Sequence, residues 1–404
     1  MERIVITGMG AVTPLGLDAK STWRAMCEGK SAVSTIRNWD SSALKVQIAA
    51  EVRDFDPTHY FSDKKLQTLD RFSQFAQVAA AQAIAQSGVE FNGELLERTA
   101  VVIGTGVGGE TTHDAQLKRL YGEQNPKLHP FTIVRLMANA PAANISITYG
   151  LQGPVFAVSS ACASANHAMA QAALLLRSGC VDVAISGGTE ACLTYGTLRA
   201  WEAMRVLTDD ACRPFSRDRR GLVLGEGAAI FVLETLSHAK ARGAVVLAEL
   251  AGFGMTADGT DIVLPRQQGA AGAMQCALRD AKLAASAIGY LNAHGTGTVA
   301  NDATETAAIK QVFGPDVGAL KISSTKSMHG HALGAAGAIE LIACIGALQD
   351  GVLPPTINYQ VPDPACDLDY VPNVAQSVKV QATLSNSFAF GGLNAVIALS
   401  RFTD

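Results

Sequence analysis

Charged and aromatic residues are scarce in this sequence. Asp, Glu, Lys and Arg together make up 17% of its 404 residues, aromatic residues make up 6%, and the formal net charge is -4. This composition gives no overall basic surface for nucleic acid or for an anionic membrane. The 48% of hydrophobic residues instead predicts a globular protein with an extensive core.

The eight cysteines include no C-x-x-C pair, and the chain opens with Met1, Glu2 and Arg3 followed by a strand-like run rather than a signal peptide. We therefore expect a reduced, cytoplasmic protein without disulfides or structural zinc. No uninterrupted apolar run is as long as a membrane span, so no span is predicted.

Nucleotide-binding motifs are also missing. No G-x-x-x-x-G-K-[ST] occurs, and the glycine turn after the first predicted strand has Thr13 where a dinucleotide-binding motif requires its third glycine. The glycine-rich segment 104–109 has no lysine and no helix start after it. Both segments are better interpreted as strand ends followed by close-packed loops.

Cys162 lies between a short apolar run and a long helix-forming segment. Val155–Val158 predicts a buried strand, and 163–177 predicts a buried helix of strong helix formers. Unpaired N–H groups at a helix N-terminus favour an anion, so this position predicts a lowered thiol pKa and a nucleophilic thiolate. The alternative is a buried structural cysteine.

Two later segments have the same form, an apolar strand that ends in a polar cluster. His294 follows the run at 290–293, and Lys326 and His331 follow the run that begins at Lys321. Ligands bind at the strand ends of open α/β sheets, so these side chains are candidates for one site.

Four motifs in this order resemble those of the β-ketoacyl-acyl carrier protein synthases, and the resemblance is strongest to the elongating type II ketosynthases. They are ACASA at 161–165, HGTGT at 294–298, STKSMHGH at 324–331 and NSFAFGG at 386–392. The resemblance extends over nearly the whole chain. Segments 261–265 and 299–302 also resemble the specialised branch that includes the nodulation-type ketosynthases.

The resemblance implies a decarboxylative condensation, in which malonyl-acyl carrier protein extends an acyl chain held as a thioester on Cys162. The backbone N–H groups of Cys162 and Phe390 would form the oxyanion hole, and His294 and His331 would assist malonyl decarboxylation. Decarboxylation supplies the carbanion, so no cofactor is expected.

Lys326 has two possible duties. It could contact the substrate, or it could form an ion pair with Glu305 or Glu340 and orient a histidine, since a buried lysine is rare unless paired. No metal is expected either, because His329-x-His331 lacks the cysteine or carboxylate neighbours typical of zinc sites.

The resemblance also implies the substrate-binding residues Thr296, Thr298, Phe388 and Gly391. Val107 and Thr132 match positions that border the acyl pocket and are smaller than the Ile and Phe common in fatty acid enzymes. A longer, bent or unsaturated acyl chain is therefore expected. The late motif reads AFGGLN where relatives commonly have GFGGTN, so Ala389 and Leu393 alter a loop thought to gate the channel.

The expected partner is acyl carrier protein, which is acidic. The basic residues that match a docking patch in the family are Lys64, Lys65, Lys127 and Arg205. The resemblance further implies a homodimer that pairs edge strands near 153–158, with segment 110–149 crossing toward the partner. A heterodimer with a second ketosynthase-like subunit is the alternative.

Two other functions compete with condensation. A thiolase acting on coenzyme A thioesters would use a second cysteine near the C-terminus, and NSFAFGG contains none. A chain-length-factor-like subunit would lack the nucleophile, whereas Cys162 is present.

A weak internal repeat predicts two similar halves. Segments 158–162 and 322–326 both carry Ser-Ser before a residue that enters a long alanine-rich helix, and 103–106 resembles 293–297. The expected fold class is α/β, a thiolase-like fold of two halves, 1–243 and 244–404, in an α-β-α-β-α arrangement. Segment 63–86 is predicted to be one helix.

Overall fold

The computed structural model describes residues 2–403. The strands are β1 Ile4–Val12, β2 Val33–Thr35, β3 Ile48–Ala50, β4 Thr99–Gly104, β5 Val155–Val158, β6 Val183–Glu190, β7 Gly227–Thr235, β8 Ala248–Ala257, β9 Ile288–Asn292, β10 Lys321–Ser323, β11 Val352–Leu353, β12 Gln376–Ser377, β13 Ala382–Ala389 and β14 Leu393–Ser400. The helices are α1 Ala19–Cys27, α2 Asp63–Leu66, α3 Arg71–Ser87, α4 Glu110–Leu117, α5 Thr132–Leu136, α6 Ala140–Tyr149, α7 Ser164–Arg177, α8 Tyr195–Met204, α9 Leu236–Ala241, α10 Gln267–Ala281, α11 Val299–Phe313, α12 Lys326–His329 and α13 Ala336–Asp350.

Ten strands form one continuous sheet in the order β10-β9-β13-β14-β8-β1-β7-β6-β4-β5. Outward from the central β8–β1 pair, the two halves repeat the same pattern. In each half the three outer strands are parallel and the two inner strands are antiparallel to their neighbours. The outermost strands, β5 and β10, precede Cys162 and Lys326. The predicted repeat is therefore present in the topology.

Alternate strand residues point into different cores, as the period of two requires. In β6, Val183 and Ile185 pack with α3, whereas Ala184 packs in the central core with α7 and α13. In β14, Ile397 belongs to the central core, and its neighbours belong to a third core that includes α10 and α11. These three cores give the predicted α-β-α-β-α layers. The boundary predicted at 243/244 falls in the loop between α9 and β8 and stays a prediction.

The central layer contains an apolar helical segment, Leu333–Asp350, which includes α13. It is the one helix among residues 2–403 that is long and apolar enough to cross a membrane, but 89% of its length is buried inside the protein. It contains the fully buried Glu340. Its composition is explained by its place between the two halves, and the cytoplasmic location stays a prediction.

Two local predictions need correction. Segment 63–86 forms two helices, because Asp70 accepts a hydrogen bond from Phe72 N and starts α3 as its N-cap. The Asp70 carboxylate also accepts a 2.6 Å hydrogen bond from Thr112 N. The strand Val155–Val158 forms as predicted, but it is half-buried because β5 is the edge of the sheet.

Segment 110–149 leaves the sheet as predicted and forms α4, α5 and α6. Helix α6 packs against β5, and α5 packs against α6. Many of its large apolar side chains are exposed in the single chain: Leu117, Tyr121, Leu128, Phe131, Ile133, Val134, Met137 and Ile147. An exposed apolar surface of this size beside an open sheet edge indicates a protein interface.

Candidate active site

The turn between β5 and α7 presents the Cys162 thiol. Ala161 has a left-handed backbone, with φ of 48°, which costs energy for a residue other than glycine. Ser164 holds this turn, since its Oγ accepts from Ser160 N at 2.9 Å and donates to Ala161 O at 2.6 Å. Cys162 itself is 6% exposed. The thiol is thus fixed two residues before the first residue of α7.

His331 lies against this thiol. Its Nε2 is 3.1 Å from Cys162 Sγ. Its backbone N–H donates to Val223 O at 2.7 Å, and its carbonyl accepts from Gly225 N at 2.9 Å. The second half of the chain therefore brings a histidine against Cys162 of the first half, and backbone pairing fixes its position.

His294 follows β9 and completes a cluster with His331. The two imidazole rings are nearly perpendicular, at 83°, with centroids 5.3 Å apart. The carboxylate of Glu305 accepts from His294 N at 2.9 Å and from Gly295 N at 2.8 Å. A side chain at Gly295 would place its Cβ 2.5 Å from Ser324 Cβ, so the close approach of the two loops requires glycine.

Lys326 lies behind the histidines and is fully buried. It forms an ion pair with Glu340, which is also fully buried. It is not among the side chains that line the pocket. Of the alternatives that the sequence left open, the structure shows the ion pair with Glu340.

Burial dominates the protonation of Cys162, His294 and His331. It lowers the pKa of His294 and of His331 well below the usual value, and the Lys326 ammonium lowers both further. Both imidazoles are therefore neutral at pH 7. Burial raises the pKa of the Cys162 thiol to about 12, although Lys326 opposes this shift. The prediction that the helix N-terminus lowers the thiol pKa is wrong for this site, because desolvation outweighs the favourable charge.

A pocket opens onto Cys162, His294 and His331. Four more of the predicted site residues line it: Thr296, Thr298, Phe388 and Phe390. Gly391 does not line the pocket, and its N–H donates to Ile262 O at 2.8 Å. The pocket therefore unites motifs from both halves.

Several lining residues were not predicted. They include Trp201, Val206, Leu222, Asp258, Asn301 and Asn394. Trp201 stacks on Phe390, with ring centroids 5.8 Å apart. Asp258 accepts a 2.8 Å hydrogen bond from Asn394 Nδ2, which ties the loop after β8 to the start of β14. These contacts join segments far apart in sequence, so no local pattern signals them.

Glu190 was not predicted from the sequence either. It is fully buried at the end of β6, and its carboxylate accepts from Thr105 Oγ1, Gly106 N, Val107 N and Gly334 N at 2.7–3.2 Å. It therefore joins the loop after β4 to the segment after His331. A carboxylate at the end of an apolar strand was the available signal.

The remaining predicted residues lie outside this pocket. Val107 is exposed, and Thr132 begins α5, where its Oγ1 donates to His129 O at 2.6 Å. Lys64, Lys127 and Arg205 are exposed. Lys65 is half-buried and donates to Asn144 Oδ1 at 2.9 Å, and burial lowers its pKa. The roles predicted for these residues stay predictions.

The segment around His329 and His331 has no cysteine close in sequence, but a cysteine lies close to His331 in space. The tertiary structure brings the ligand atoms of Cys162, His294 and His331 within 4.8 Å of one another. These segments are too far apart in the sequence for metal-ligand spacing to be recognised.

Comparison with known proteins identifies this arrangement. The sequence matches the family described as beta-ketoacyl synthase, N-terminal domain, over residues 1–239 and the corresponding C-terminal domain over residues 247–360. The chain belongs to the β-ketoacyl synthase family. It is an acyltransferase-type enzyme, as predicted from the four motifs.

Two relatives match along their whole length. The chain is 48% identical to nodulation protein E of Rhizobium sp. (strain N33), covering 98% of each chain. It is 42% identical to 3-oxoacyl-[acyl-carrier-protein] synthase 2 of Coxiella burnetii, covering 100% of this chain and 99% of the other. These similarities confirm the family resemblance and the resemblance to nodulation-type members.

Solved structures agree with the fold. The ishigamide ketosynthase/chain length factor matches with a TM-score of 0.94 and 35% identity over 100% of both chains. A type II polyketide synthase acyl-carrier protein in complex with its ketosynthase matches with a TM-score of 0.89 and 31% identity, also over 100% of both chains. The predicted fold class is confirmed.

Proposed function

We propose that the protein is a 3-oxoacyl-[acyl-carrier-protein] synthase that condenses malonyl-acyl carrier protein with an acyl chain held on Cys162, in fatty acid or specialised lipid or polyketide synthesis. The observation that supports this most is the placement of one thiol and two neutral imidazoles at the end of a pocket. A nucleophile and two hydrogen-bond donors are what the two half-reactions require.

In the first half-reaction, Cys162 sulfur attacks the acyl thioester carbonyl. The S–H proton passes to His331 Nε2, which lies 3.1 Å away, and then to the departing pantetheine sulfur. The carbonyl oxygen becomes an oxyanion, which the backbone N–H groups of Cys162 and Phe390 stabilise. Since the thiol is protonated in the empty pocket, proton removal accompanies the attack.

In the second half-reaction, the malonyl carboxylate leaves as CO₂, and its bonding electrons form an enolate. Neutral His294 donates through Nε2–H to the enolate oxygen, and His331 does so in its Nε2–H tautomer, which no hydrogen bond at Nδ1 opposes. The enolate carbon then attacks the acyl group on Cys162, a C–C bond forms, the C–S bond breaks, and the thiolate that leaves takes up one proton from solvent. Carbanion formation by decarboxylation requires no cofactor.

Separating the half-reactions tests this function. His294→Ala should lower malonyl decarboxylation by about 100-fold or more, because an oxyanion-stabilising donor is removed. Acyl transfer to Cys162 should fall much less, since it uses the thiol and the backbone donors. Intact-protein mass spectrometry measures transfer, and CO₂ release measures decarboxylation. Equal loss of both would contradict the division of roles.

Two alternatives are less well supported. A coenzyme A-dependent thiolase needs a second cysteine at the site, and no other cysteine lines the pocket among the described residues. A non-catalytic chain-length-factor-like subunit has no use for the assembled Cys162, His294 and His331. Acylation of Cys162 by coenzyme A thioesters alone would favour the thiolase.

Acyl carrier protein is the proposed partner. The basic residues in segment 63–66, together with Lys127 and Arg205, support it. Lys64 is exposed and so suits contact with an acidic carrier, whereas Lys65 is engaged with Asn144. Lys64→Glu should raise KM for acyl carrier protein and flatten its salt dependence without changing reaction with small thioesters. Lys20→Glu, an exposed lysine on α1, is the matched control. An unchanged KM would remove Lys64 from the docking surface.

Dimer formation would cover the open edge of β5 and the exposed apolar side chains of 110–149. An isologous homodimer is the proposed state, with Thr132 reaching toward the partner's acyl pocket. The chain purified alone should sediment as a dimer. Recovery of folded protein only with a second ketosynthase-like subunit would favour a heterodimer of the kind that the name of the ishigamide ketosynthase/chain length factor indicates.

A further inference from the structure

The cluster of Cys162, His294 and His331 has the chemistry of a metal site as well as that of a condensing site. Three buried ligand atoms, one sulfur and two nitrogens, converge within 4.8 Å. It is the one group of three or more such residues among residues 2–403. One thiolate and two imidazoles form a ligand set that suits Zn²⁺ and similar thiophilic cations rather than Mg²⁺ or Ca²⁺.

The distances are close to those of a tetrahedral site. Zinc lies about 2.3 Å from sulfur and about 2.0–2.1 Å from nitrogen, so its sulfur and nitrogen ligands are about 3.5 Å apart. Cys162 Sγ and His331 Nε2 are 3.1 Å apart, and every pair in the cluster is within 4.8 Å. Side-chain shifts of roughly 1 Å would close the site. The pocket leaves the fourth position open to water.

The two imidazoles are free to present a lone pair at Nε2. Neither His294 Nδ1 nor His331 Nδ1 has a hydrogen-bond partner. No neighbour therefore fixes either tautomer, and Nε2 can carry a proton for an oxyanion or a lone pair for a cation. Histidines of resident metal sites almost always donate the other N–H to an acceptor. Neither histidine has such an acceptor here, which indicates that a metal ion would bind reversibly.

The ionisable groups that act on Cys162 Sγ carry charges of both signs: Lys326, Glu190 and Glu340. Lys326 forms an ion pair with Glu340, and the Glu190 carboxyl accepts hydrogen bonds from Thr105 Oγ1 and from three backbone N–H groups. The Lys326 ammonium opposes a cation at this place, so the affinity for a metal comes from the sulfur and the two ring nitrogens.

We propose that Cys162, His294 and His331 bind one thiophilic divalent cation, such as Zn²⁺, and that this binding excludes the acyl chain. The thiol proton is released to solvent, and the sulfur lone pair that would attack a thioester forms the bond to the metal. No redox step is involved. The exclusion of the acyl chain rests on the proposed function, whereas metal binding does not.

Titration of the full-length protein with Zn²⁺ alone tests the site. Calorimetry should give one ion per chain for wild type. Cys162→Ala and His294→Ala should each weaken binding by about 100-fold or more, since even changes next to metal ligands cost roughly 10–100-fold. Cys180→Ser and His113→Ala, which alter an exposed cysteine and an exposed histidine, should leave it unchanged.

Two further readouts distinguish the site from incidental binding and from misfolding. Co²⁺ in place of Zn²⁺ should give a sulfur-to-cobalt charge-transfer band that alkylation of Cys162 in the folded wild type abolishes. Unchanged Zn²⁺ affinity in Cys162→Ala, or a Co²⁺ spectrum without that band, would overturn the proposal. If Zn²⁺ binds but Cys162 takes no acyl group even with a chelator present, the proposed function fails and the metal site stands.

Zn²⁺ should also block transfer of an acyl group to Cys162 in proportion to its occupancy, and a chelator should restore the reaction. Rapid acylation of fully Zn²⁺-loaded protein would overturn the exclusion.

Discussion

The ends of β5 and β10 occupy equivalent places in the two halves, yet they do different chemistry. After β5, a strained turn at Ala161 presents Cys162 to the pocket. After β10, Lys326 enters α12 and is sealed against Glu340 away from the pocket. One strand end contacts the substrate in the proposed reaction, and the other supplies charge behind the histidines. Similar backbone topology therefore does not imply similar exposure of the side chain that follows it.

The difference also affects protonation. The Cys162 thiol is buried without a paired charge, so burial raises its pKa. Lys326 is buried with a carboxylate partner, which keeps a full charge in the interior. That charge contributes to the lowered pKa of both histidines. The Cys162 thiol is thus neutral until it attacks the thioester. Lys326, paired with Glu340, contributes positive charge behind the histidines.

The largest effect should come from the β5 end. Cys162→Ser should lower condensation by at least about 10⁴-fold, because a hydroxyl cannot replace the thiol as nucleophile. Intact-protein mass spectrometry with an acyl carrier protein thioester measures the acyl-enzyme. Cys180→Ser is the control and should be acylated like wild type. Acylation of Cys162→Ser at the wild-type rate would show that the nucleophile lies elsewhere.

At the β10 end, Lys326→Met should lower the free energy of unfolding by about 3–5 kcal/mol at pH 8, because Glu340 is left buried without its partner. The double variant Lys326→Met with Glu340→Gln should recover most of this loss. Denaturant unfolding measures both. Wild-type stability in the single variant would contradict the ion-pair role of Lys326.

This destabilisation should depend on pH. Burial raises the pKa of Glu340 to about 7, and Lys326 opposes the shift, so removal of Lys326 raises the pKa further. A carboxyl group whose folded-state pKa exceeds its unfolded value favours folding at low pH and loses that contribution as pH rises. The single variant should therefore be less destabilised at pH 5 than at pH 8. In the double variant residue 340 no longer titrates, so this site should cause no loss of stability between the two pH values.

The smallest effect concerns the reactivity of the Cys162 thiol in the empty pocket. Since its pKa is raised to about 12, alkylation by iodoacetamide should increase about tenfold per pH unit from about pH 7 to pH 10, without a plateau. Free cysteine, with a pKa of about 8.5, provides the reference and should level off in this range. A plateau below about pH 8 would show that the helix N-terminus stabilises the anion more than burial opposes it.

Two local features differ from their predictions, the helix at 63–86 and the burial of β5. The helix at 63–86 was predicted as continuous because its apolar residues recur at helical spacing. The break falls at Asp70, which caps α3 through Phe72 N and also accepts a hydrogen bond from Thr112 N in another segment. Likewise, β5 was predicted as buried from its apolar residues, and only its place at the sheet edge leaves it half-exposed.

The sequence by itself determined the family, the α/β class, the repeated halves and the residues Cys162, His294 and His331, because motifs and strand-to-helix transitions are local properties. Tertiary structure decided which carboxylate pairs with Lys326, the neutral state of the histidines, the raised pKa of the thiol and the approach of Cys162 to His331. Each of these depends on burial and on contacts between residues far apart in the chain. Desolvation and charge pairing arise only once the two halves pack together.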